Sequence, residues 1–167
     1  MAERKYEELT HKIIGCAMKV HSTLGNGFQE VIYQRCLAIE LKKADISFQR
    51  EMEMPIFYDG HEVGTRRSDF IVDKKVLLEL KAMITLEDVH LAQALNYLEA
   101  YRMDVGLLIN FGARSLEFKR LLSRSQKSRR SDNPADPDSD DVFTPGNPIN
   151  PVNPDADNVL KSAVSRS

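Results

Sequence analysis

The hydrophobic residues of the chain follow two periods, and the change from one to the other separates predicted helices from predicted strands. Over residues 6–23 apolar side chains recur every three to four positions, which predicts an amphipathic helix. The Gly-Asn-Gly sequence at residues 25–27 ends this helix, and a second helix is predicted over residues 28–43. In the segment from residue 47 to residue 58, apolar residues occupy every second position at Met52, Met54, Ile56 and Tyr58, which is typical of a strand.

The middle of the chain predicts two β-hairpins. A strand is expected over residues 47–58, and the Asp-Gly pair at residues 59–60 is a strong turn signal that leads into residues 61–66. Residues 65–81 form the second predicted hairpin, with its turn at residues 73–75.

The remaining elements complete a mixed sheet. Residues 86–101 have helical periodicity, and residues 105–111 are a continuous apolar run typical of a strand covered on both faces. A strand that follows a helix in this way suggests a βαβ crossover. Residues 115–122 are expected to form a final strand or a short helix. The predicted fold class is therefore α+β, with a mixed central β-sheet flanked by helices.

The hairpin over residues 65–81 brings charged side chains together. If its turn is centred on Lys74, the antiparallel register places Asp69 opposite Glu79, and strand alternation puts Lys81 on the same face as Glu79. Like charges opposite each other destabilise a sheet, so this pair needs a compensating cation. Mg²⁺, which prefers carboxylate and water oxygens, is the natural one. The alternative is a surface ion pair on an exposed edge strand.

Two helical faces also carry polar residues. Glu30 and Tyr33 share one face of the second helix, and a carboxylate at a helix start is also explained by the helix dipole alone. On the third helix, His90, Gln93 and Tyr97 fall on one stripe and could reach a site beside the sheet.

Composition separates a folded domain from a tail. The chain has 167 residues and 42% hydrophobic content, enough for one domain, which we place at residues 1–122. Residues 123–167 contain six of the seven prolines and many Ser, Asp and Asn residues. This composition predicts a disordered tail, because it offers little apolar surface to offset the entropy of ordering.

Charge and cysteine content narrow the function only slightly. Residues 1–122 hold 17 Lys and Arg against 18 Asp and Glu, so the domain lacks the basic excess of a dedicated nucleic-acid binder. Cys16 and Cys36 lack metal-binding spacing and are expected to be reduced core thiols. With neither a signal peptide nor a spanning segment visible, the protein is expected to be cytoplasmic, with no membrane partner.

The ordered set of polar residues resembles a known nuclease core. The order and spacing of these residues are similar to the PD-(D/E)XK nuclease core with the Q-x-x-x-Y helix of its RecB- and Cas4-like branch. The matching residues are Asp69, the Glu-Leu-Lys sequence at residues 79–81, and Gln93 with Tyr97 one turn later. Ser68 stands where the superfamily pattern has proline. This resemblance implies a restriction-endonuclease-like core.

Further motifs resemble a narrower family. The sequence Gly-Phe-Gln-Glu-Val-Ile-Tyr at residues 27–33, followed by residues 93–98 and 105–112, resembles the GxxExxY protein family, which is placed in the same superfamily. The resemblance covers about residues 6–122.

The resemblance implies a role for each site residue. Asp69 and Glu79 would hold Mg²⁺ or Mn²⁺, helped by the backbone carbonyl of Leu80. Glu30 would orient the helical side of the site or bind a second metal ion. Lys81 would orient the attacking water and stabilise negative charge on the phosphate.

Gln93 and Tyr97 would position the site and the substrate backbone. The leading hypothesis is therefore a metal-dependent nuclease acting on DNA or RNA, with DNA favoured as partner. A rival hypothesis is a non-catalytic module that binds nucleic acid or protein, as a homodimer or with a partner subunit, since so small a domain has little surface for base readout. A third is a structural ion-pair network without metal.

Overall fold

The computed structural model describes residues 4–124. The tail predicted for residues 123–167 lies outside this range, apart from its first two residues. Three helices and seven strands are formed in the described part of the chain: α1 (Glu7–Leu24), α2 (Glu30–Lys43), β1 (Phe48–Arg50), β2 (Glu53–Tyr58), β3 (His61–Arg67), β4 (Phe70–Val72), β5 (Val76–Lys81), α3 (Asp88–Ala100), β6 (Val105–Asn110) and β7 (Glu117–Leu122).

The α+β fold and the mixed central sheet are confirmed. Five strands pair in the order β1-β4-β5-β6-β7, and β5 and β6 are parallel while the other pairs are antiparallel. Helix α3 connects β5 to β6, as expected for a βαβ crossover. The last element is a strand rather than a short helix.

The two remaining strands form a separate sheet. Among residues 4–124, β2 and β3 pair only with each other, and we call this two-stranded sheet the ribbon. The prediction of one strand over residues 47–58 is therefore wrong, because Glu51 adopts a left-handed conformation (φ 53°) between β1 and β2. Likewise, residues 65–67 belong to β3, so the first strand of the 65–81 hairpin is only β4.

The register predicted for the hairpin over residues 65–81 is confirmed. Phe70 pairs with Leu78 and Val72 with Val76, so the turn is centred on Lys74. One step further, the same register sets Asp69 opposite Glu79.

Helices cover both faces of the five-stranded sheet. α1 and α2 pack on the face that carries Leu78 and Leu80, while α3 packs on the opposite face with Leu77. Because side chains alternate along β5, Glu79 and Lys81 share the α3 face with Leu77. The residues of β5 are buried on both faces of the sheet up to Leu80, and Lys81 at the end of the strand is partly exposed. The charged residues Glu79 and Lys81 therefore lie at the C-terminal end of β5.

Cys16 and Cys36 are free thiols that are partly buried against the hydrophobic core between the sheet and helices α1 and α2, in line with their predicted role. Within residues 4–124, no helix is both long and apolar enough to cross a membrane.

Candidate active site at the end of strand β5

Asp69 is fixed in orientation by hydrogen bonds from two sides. Its Oδ2 accepts a hydrogen bond from the backbone N–H of Leu80 (2.7 Å), and its Oδ1 accepts one from Nε2 of Gln34 (3.2 Å). The oxygen of Gln34 accepts in turn from the guanidinium of Arg50 (2.9 Å). Strand β5, helix α2 and strand β1 therefore all contribute to the placement of one carboxylate.

Glu79 is a buried carboxyl group beside Asp69. It is 5% exposed, and among residues 4–124 its Oε1 has no hydrogen-bond partner. Burial raises its pKa to about 8, and the charges of Asp69 and Glu30 act in the same direction while that of Lys81 opposes them. Glu79 therefore keeps its proton to a higher pH than an exposed glutamate does.

The structure brings together the four charged residues predicted for the site. Burial raises the pKa of Asp69 and the pKa of Glu30, and the positive charge of Lys81 offsets part of this rise for both groups. Lys81 has the same effect on Glu79, so one ammonium group lies within electrostatic reach of all three carboxylates. Glu30 reaches this cluster because it is the first residue of α2.

The backbone of Leu80 is directed toward the same cluster. The carbonyl of Lys81 accepts a hydrogen bond from the N–H of Phe111 on the β6 side (2.8 Å). Neighbouring residues of a strand direct their polar groups to opposite sides, so Leu80 directs its N–H and carbonyl away from β6. Its N–H reaches Asp69, as described above, and its carbonyl lies on the same side of the strand.

The motif at residues 27–33 shapes the loop that precedes Glu30. The buried hydroxyl of Tyr33 donates a hydrogen bond to the carbonyl of Gly25 (2.7 Å) and accepts one from the N–H of Phe28 (3.2 Å). Gly27 lies between them with φ 106°, a conformation that side chains disfavour. Tyr33 therefore anchors the start of α2, and this anchor positions Glu30.

Tyr97 contacts the ribbon through Arg66. The hydroxyl of Tyr97 accepts a hydrogen bond from Arg66 of β3 (3.0 Å), whose guanidinium also lies 5.1 Å from the centre of the Tyr97 ring. Gln93 is half-buried on the same helix. In the described part of the chain, neither side chain forms a hydrogen bond with Asp69 or Lys81.

His90, the third residue of that stripe, has a local role. Its Nδ1 accepts a hydrogen bond from the N–H of Glu87 (3.1 Å), and together they form the capping box of α3.

Sequence reasoning missed Gln34 and Arg50. Gln34 lies one helical turn after Glu30, so its face of α2 could have been read from the spacing. Its contact with Asp69 spans 35 residues and depends on how α2 docks, which spacing alone does not give.

Tyr101 was missed as well, although it follows Tyr97 by one turn. It is buried, and its hydroxyl accepts a hydrogen bond from the N–H of Ser68 (3.0 Å). The carbonyl oxygens of Met52 (2.5 Å) and Arg66 (3.1 Å) lie within hydrogen-bond distance of the same hydroxyl. Tyr101 therefore joins both strands at the base of the ribbon to α3.

Buried Asn110 fixes the segment that follows Lys81. Its Oδ1 accepts hydrogen bonds from the N–H groups of Met83 (3.0 Å) and Gly112 (3.1 Å), and its amide donates to the Met83 carbonyl (2.9 Å) and to Glu117 (2.8 Å). This residue uses its full hydrogen-bonding capacity, which ties the exit of β5 to β6 and β7.

The site residues fit a divalent metal ion in their chemistry. Asp69, Glu79 and Glu30 supply the oxygen ligands that Mg²⁺ prefers, and the buried Oε1 of Glu79 lacks a protein partner within residues 4–124. Each oxygen of Asp69 keeps a second lone pair beside its hydrogen bond. In the same range, however, no three His, Cys, Asp or Glu side chains are already grouped as a metal site. Binding of a metal ion by the predicted ligands therefore requires these side chains to move closer together.

Comparison with known proteins extends these observations. The sequence model of the PD-(D/E)XK nuclease superfamily matches residues 7–121. A solved structure titled "Crystal structure of SSO0001" is similar at 17% sequence identity and a TM-score of 0.47, over 76% of this chain and 66% of that one. A search of curated proteins found no match. Because the superfamily model spans well over half of the sequence, the chain belongs to the PD-(D/E)XK nuclease superfamily.

Proposed function

We propose that this protein is a metal-dependent nuclease of the GxxExxY type, which hydrolyses phosphodiester bonds of DNA or RNA. The observation that carries the proposal is the buried Glu79, whose Oε1 has no partner within residues 4–124, next to Asp69 and Lys81. Burying such a group is costly, and the cost is best explained by a cation and a substrate that it serves.

Asp69, Glu79, the carbonyl of Leu80 and Glu30 would hold Mg²⁺ or Mn²⁺. When bound, such an ion activates water and stabilises negative charge on a phosphate. Gln34 and the N–H of Leu80 hold Asp69 in place for this role.

Lys81 supplies the fixed positive charge of the site. It lies two residues after Glu79 on the same strand face, roughly 7 Å along the strand. Its ammonium group donates hydrogen bonds that orient the attacking water and stabilise the charge that develops on the phosphate oxygens.

Gln93 and Tyr97 are assigned to the substrate side of the site. Their helix packs on the sheet face that also carries Glu79. Tyr97 is held by Arg66, so this pair offers an aromatic ring and a guanidinium to the backbone of a nucleic acid. A domain of this size reads few bases, so sequence specificity would require a second copy of the chain or a partner subunit.

A cleavage panel tests the proposal. Purified protein is incubated with single- and double-stranded DNA and RNA in Mg²⁺ or Mn²⁺, beside the Asp69→Ala variant. The proposal expects cleavage of at least one substrate by the parent protein and none by the variant. Binding without cleavage would instead support the non-catalytic module, and equal cleavage by both proteins would exclude the assigned site.

A further inference from the structure

The ribbon is firmly attached at its base. Tyr101 bonds to both of its ends, as described above, and the N–H of Glu51 donates to the carbonyl of Asp69 (3.2 Å). Met54 of β2 packs against the hydrophobic core between the sheet and helix α3. The base of the ribbon therefore has a fixed position next to Asp69.

The tip of the ribbon is apolar and exposed. Phe57 is 60% exposed, Tyr58 76% and Val63 62%, and these three residues surround the turn between β2 and β3. Large apolar side chains grouped on a surface commonly mark a binding site.

One face of the ribbon connects this tip to the site. Alternation along β2 places Phe57 on the same face as Glu53 and Pro55. Glu53 pairs with Arg67 and Pro55 with Thr65, and beyond a register shift Phe57 pairs with Glu62. Arg67 lies two residues before Asp69, and it is exposed, with a long ion pair to Glu51 (4.0 Å) and a charge that lowers the pKa of Asp69. Arg67 is therefore available to a phosphate close to the site.

The charges of the ribbon show what kind of contact its tip can make. Asp59 and Glu62 are exposed at the tip, so the tip does not attract phosphate groups, whereas Glu53 lies at the base opposite Arg67. An aromatic ring can still stack on a nucleic-acid base, because every base offers a π-face and stacking needs no positive charge. The six residues of β2 span roughly 17 Å, so a nucleic acid whose scissile bond lies at Asp69 must continue well beyond that bond to reach Phe57. The bases of a duplex are already stacked on each other, so the part of the nucleic acid that reaches Phe57 has to be single-stranded.

From these observations we propose that the exposed face of the ribbon binds a single-stranded segment of nucleic acid, with Arg67 on a phosphate and Phe57 stacked on a base. This inference rests on the proposed function, since it takes the strand to be the substrate of the site. It assigns the substrate class: nucleic acid with a single-stranded segment beside the bond that is cleaved.

The test measures binding separately from cleavage. Fluorescence anisotropy with a labelled oligothymidylate, in EDTA and over a series of salt concentrations, compares the parent protein with Phe57→Ala and Arg67→Ala. Phe57→Ala should weaken binding about 5- to 150-fold without changing the salt dependence. Arg67→Ala should weaken binding and reduce the slope of log affinity against log salt by about 1.

Phe118→Ala is the matched control. Phe118 is also an exposed aromatic residue on a strand (40%), but it lies on β7 at the far edge of the five-stranded sheet. This variant should bind the oligonucleotide like the parent. Melting curves verify that Phe57→Ala is folded, which is expected because its side chain is mostly exposed.

Three outcomes would overturn the inference: parent-like binding by Phe57→Ala, an equal loss of binding to a DNA duplex, or a loss explained by a change of oligomeric state in sedimentation. The cleavage panel separates these results from the nuclease proposal. If the parent cleaves and Phe57→Ala binds normally, only the ribbon assignment fails. If Phe57→Ala weakens binding but the parent cleaves nothing, the ribbon assignment stands and the catalytic assignment fails.

Discussion

At the level of single residues, the carboxyl group of Glu79 makes stability depend on pH. Its pKa in the folded protein is about 8, above the ordinary value of 4.5. The folded state therefore binds this proton more tightly than the unfolded state does. The resulting stabilisation is fully present below about pH 4.5 and is lost as the pH rises through about 8.

We therefore predict that the metal-free protein loses stability between about pH 5 and pH 8, and that Glu79→Gln flattens this dependence. Urea unfolding in EDTA across this range provides the measurement. Glu62→Gln, an exposed change on the ribbon, serves as the control. An equal slope in Glu79→Gln and the parent would show that Glu79 is not protonated as described.

Gln34 offers a second test at this scale. Gln34→Leu removes the hydrogen bond to Oδ1 of Asp69 and the acceptor used by Arg50. We expect a loss of about 1–3 kcal/mol in the free energy of unfolding and a 10- to 100-fold weaker affinity for Mn²⁺. Denaturation and calorimetric titration measure the two effects. Gln49→Leu, an exposed change on β1, should alter neither, and unchanged Mn²⁺ affinity in Gln34→Leu would contradict the role of Gln34.

At the level of secondary-structure elements, the attachment of the ribbon depends on one hydroxyl group. Tyr101→Phe keeps the packing of the ring but removes the hydroxyl that joins both strands of the ribbon to α3, while the N–H of Ser68 keeps the carbonyl of Met52 as an acceptor (3.1 Å). We predict a loss of about 0.5–1.5 kcal/mol in the free energy of unfolding, measured by urea denaturation. Tyr97→Phe should cost less, because its hydroxyl is only partly buried. If Tyr101→Phe is no less stable than the parent, the ribbon is not held through this residue.

The elements also show how far the sequence can be read. Helical spacing over residues 6–23 predicted α1, and the turn centred on Lys74 gave the register of β4 and β5, because both signals are local. The apolar run at residues 105–111 predicted that β6 is covered on both faces. The alignment of Asp69 with Glu79 followed from the same register, so the carboxylate pair could be found without a structure.

What could not be predicted depends on contacts between distant residues. Apolar residues recur at every second position from Met52 to Tyr58, but the sequence does not show that Glu51 takes the left-handed conformation that separates the ribbon from β1. The N–H of Glu51 donates to the carbonyl of Asp69, a residue 18 positions away. The hydrogen bond between Gln34 and Asp69 likewise requires α2 to be docked on the sheet. Tyr97 was predicted to face the site, and its contact with Arg66 depends on where the ribbon lies.

At the level of the whole molecule, we propose that the residues needed for folding end close to β7. Beyond β7, the N–H of Ser123 donates to the carbonyl of Asp104 (3.0 Å) and that of Arg124 to Glu99 (2.6 Å). We predict that a chain ending after residue 124 folds with a melting temperature within about 2 °C of that of the full chain, because the residues removed have little apolar surface to bury. A shift of that size corresponds to less than about 1 kcal/mol in the free energy of unfolding. A clearly larger loss would show that residues 125–167 contribute to the fold, and differential scanning calorimetry provides the comparison.

The central claim is that Asp69, Glu79 and Lys81 form a hydrolytic site, and Lys81→Met tests it most directly. The variant keeps most of the side-chain stem but lacks the charge that stabilises the developing negative charge on the phosphate. We predict that it still binds Mn²⁺ in calorimetric titration while cleavage falls by about 100-fold or more. Lys75→Met, in the exposed turn of the same hairpin, should cleave like the parent. Parent-like cleavage by Lys81→Met would contradict the claim, and the charges at the end of β5 would then form a binding surface rather than a catalytic one.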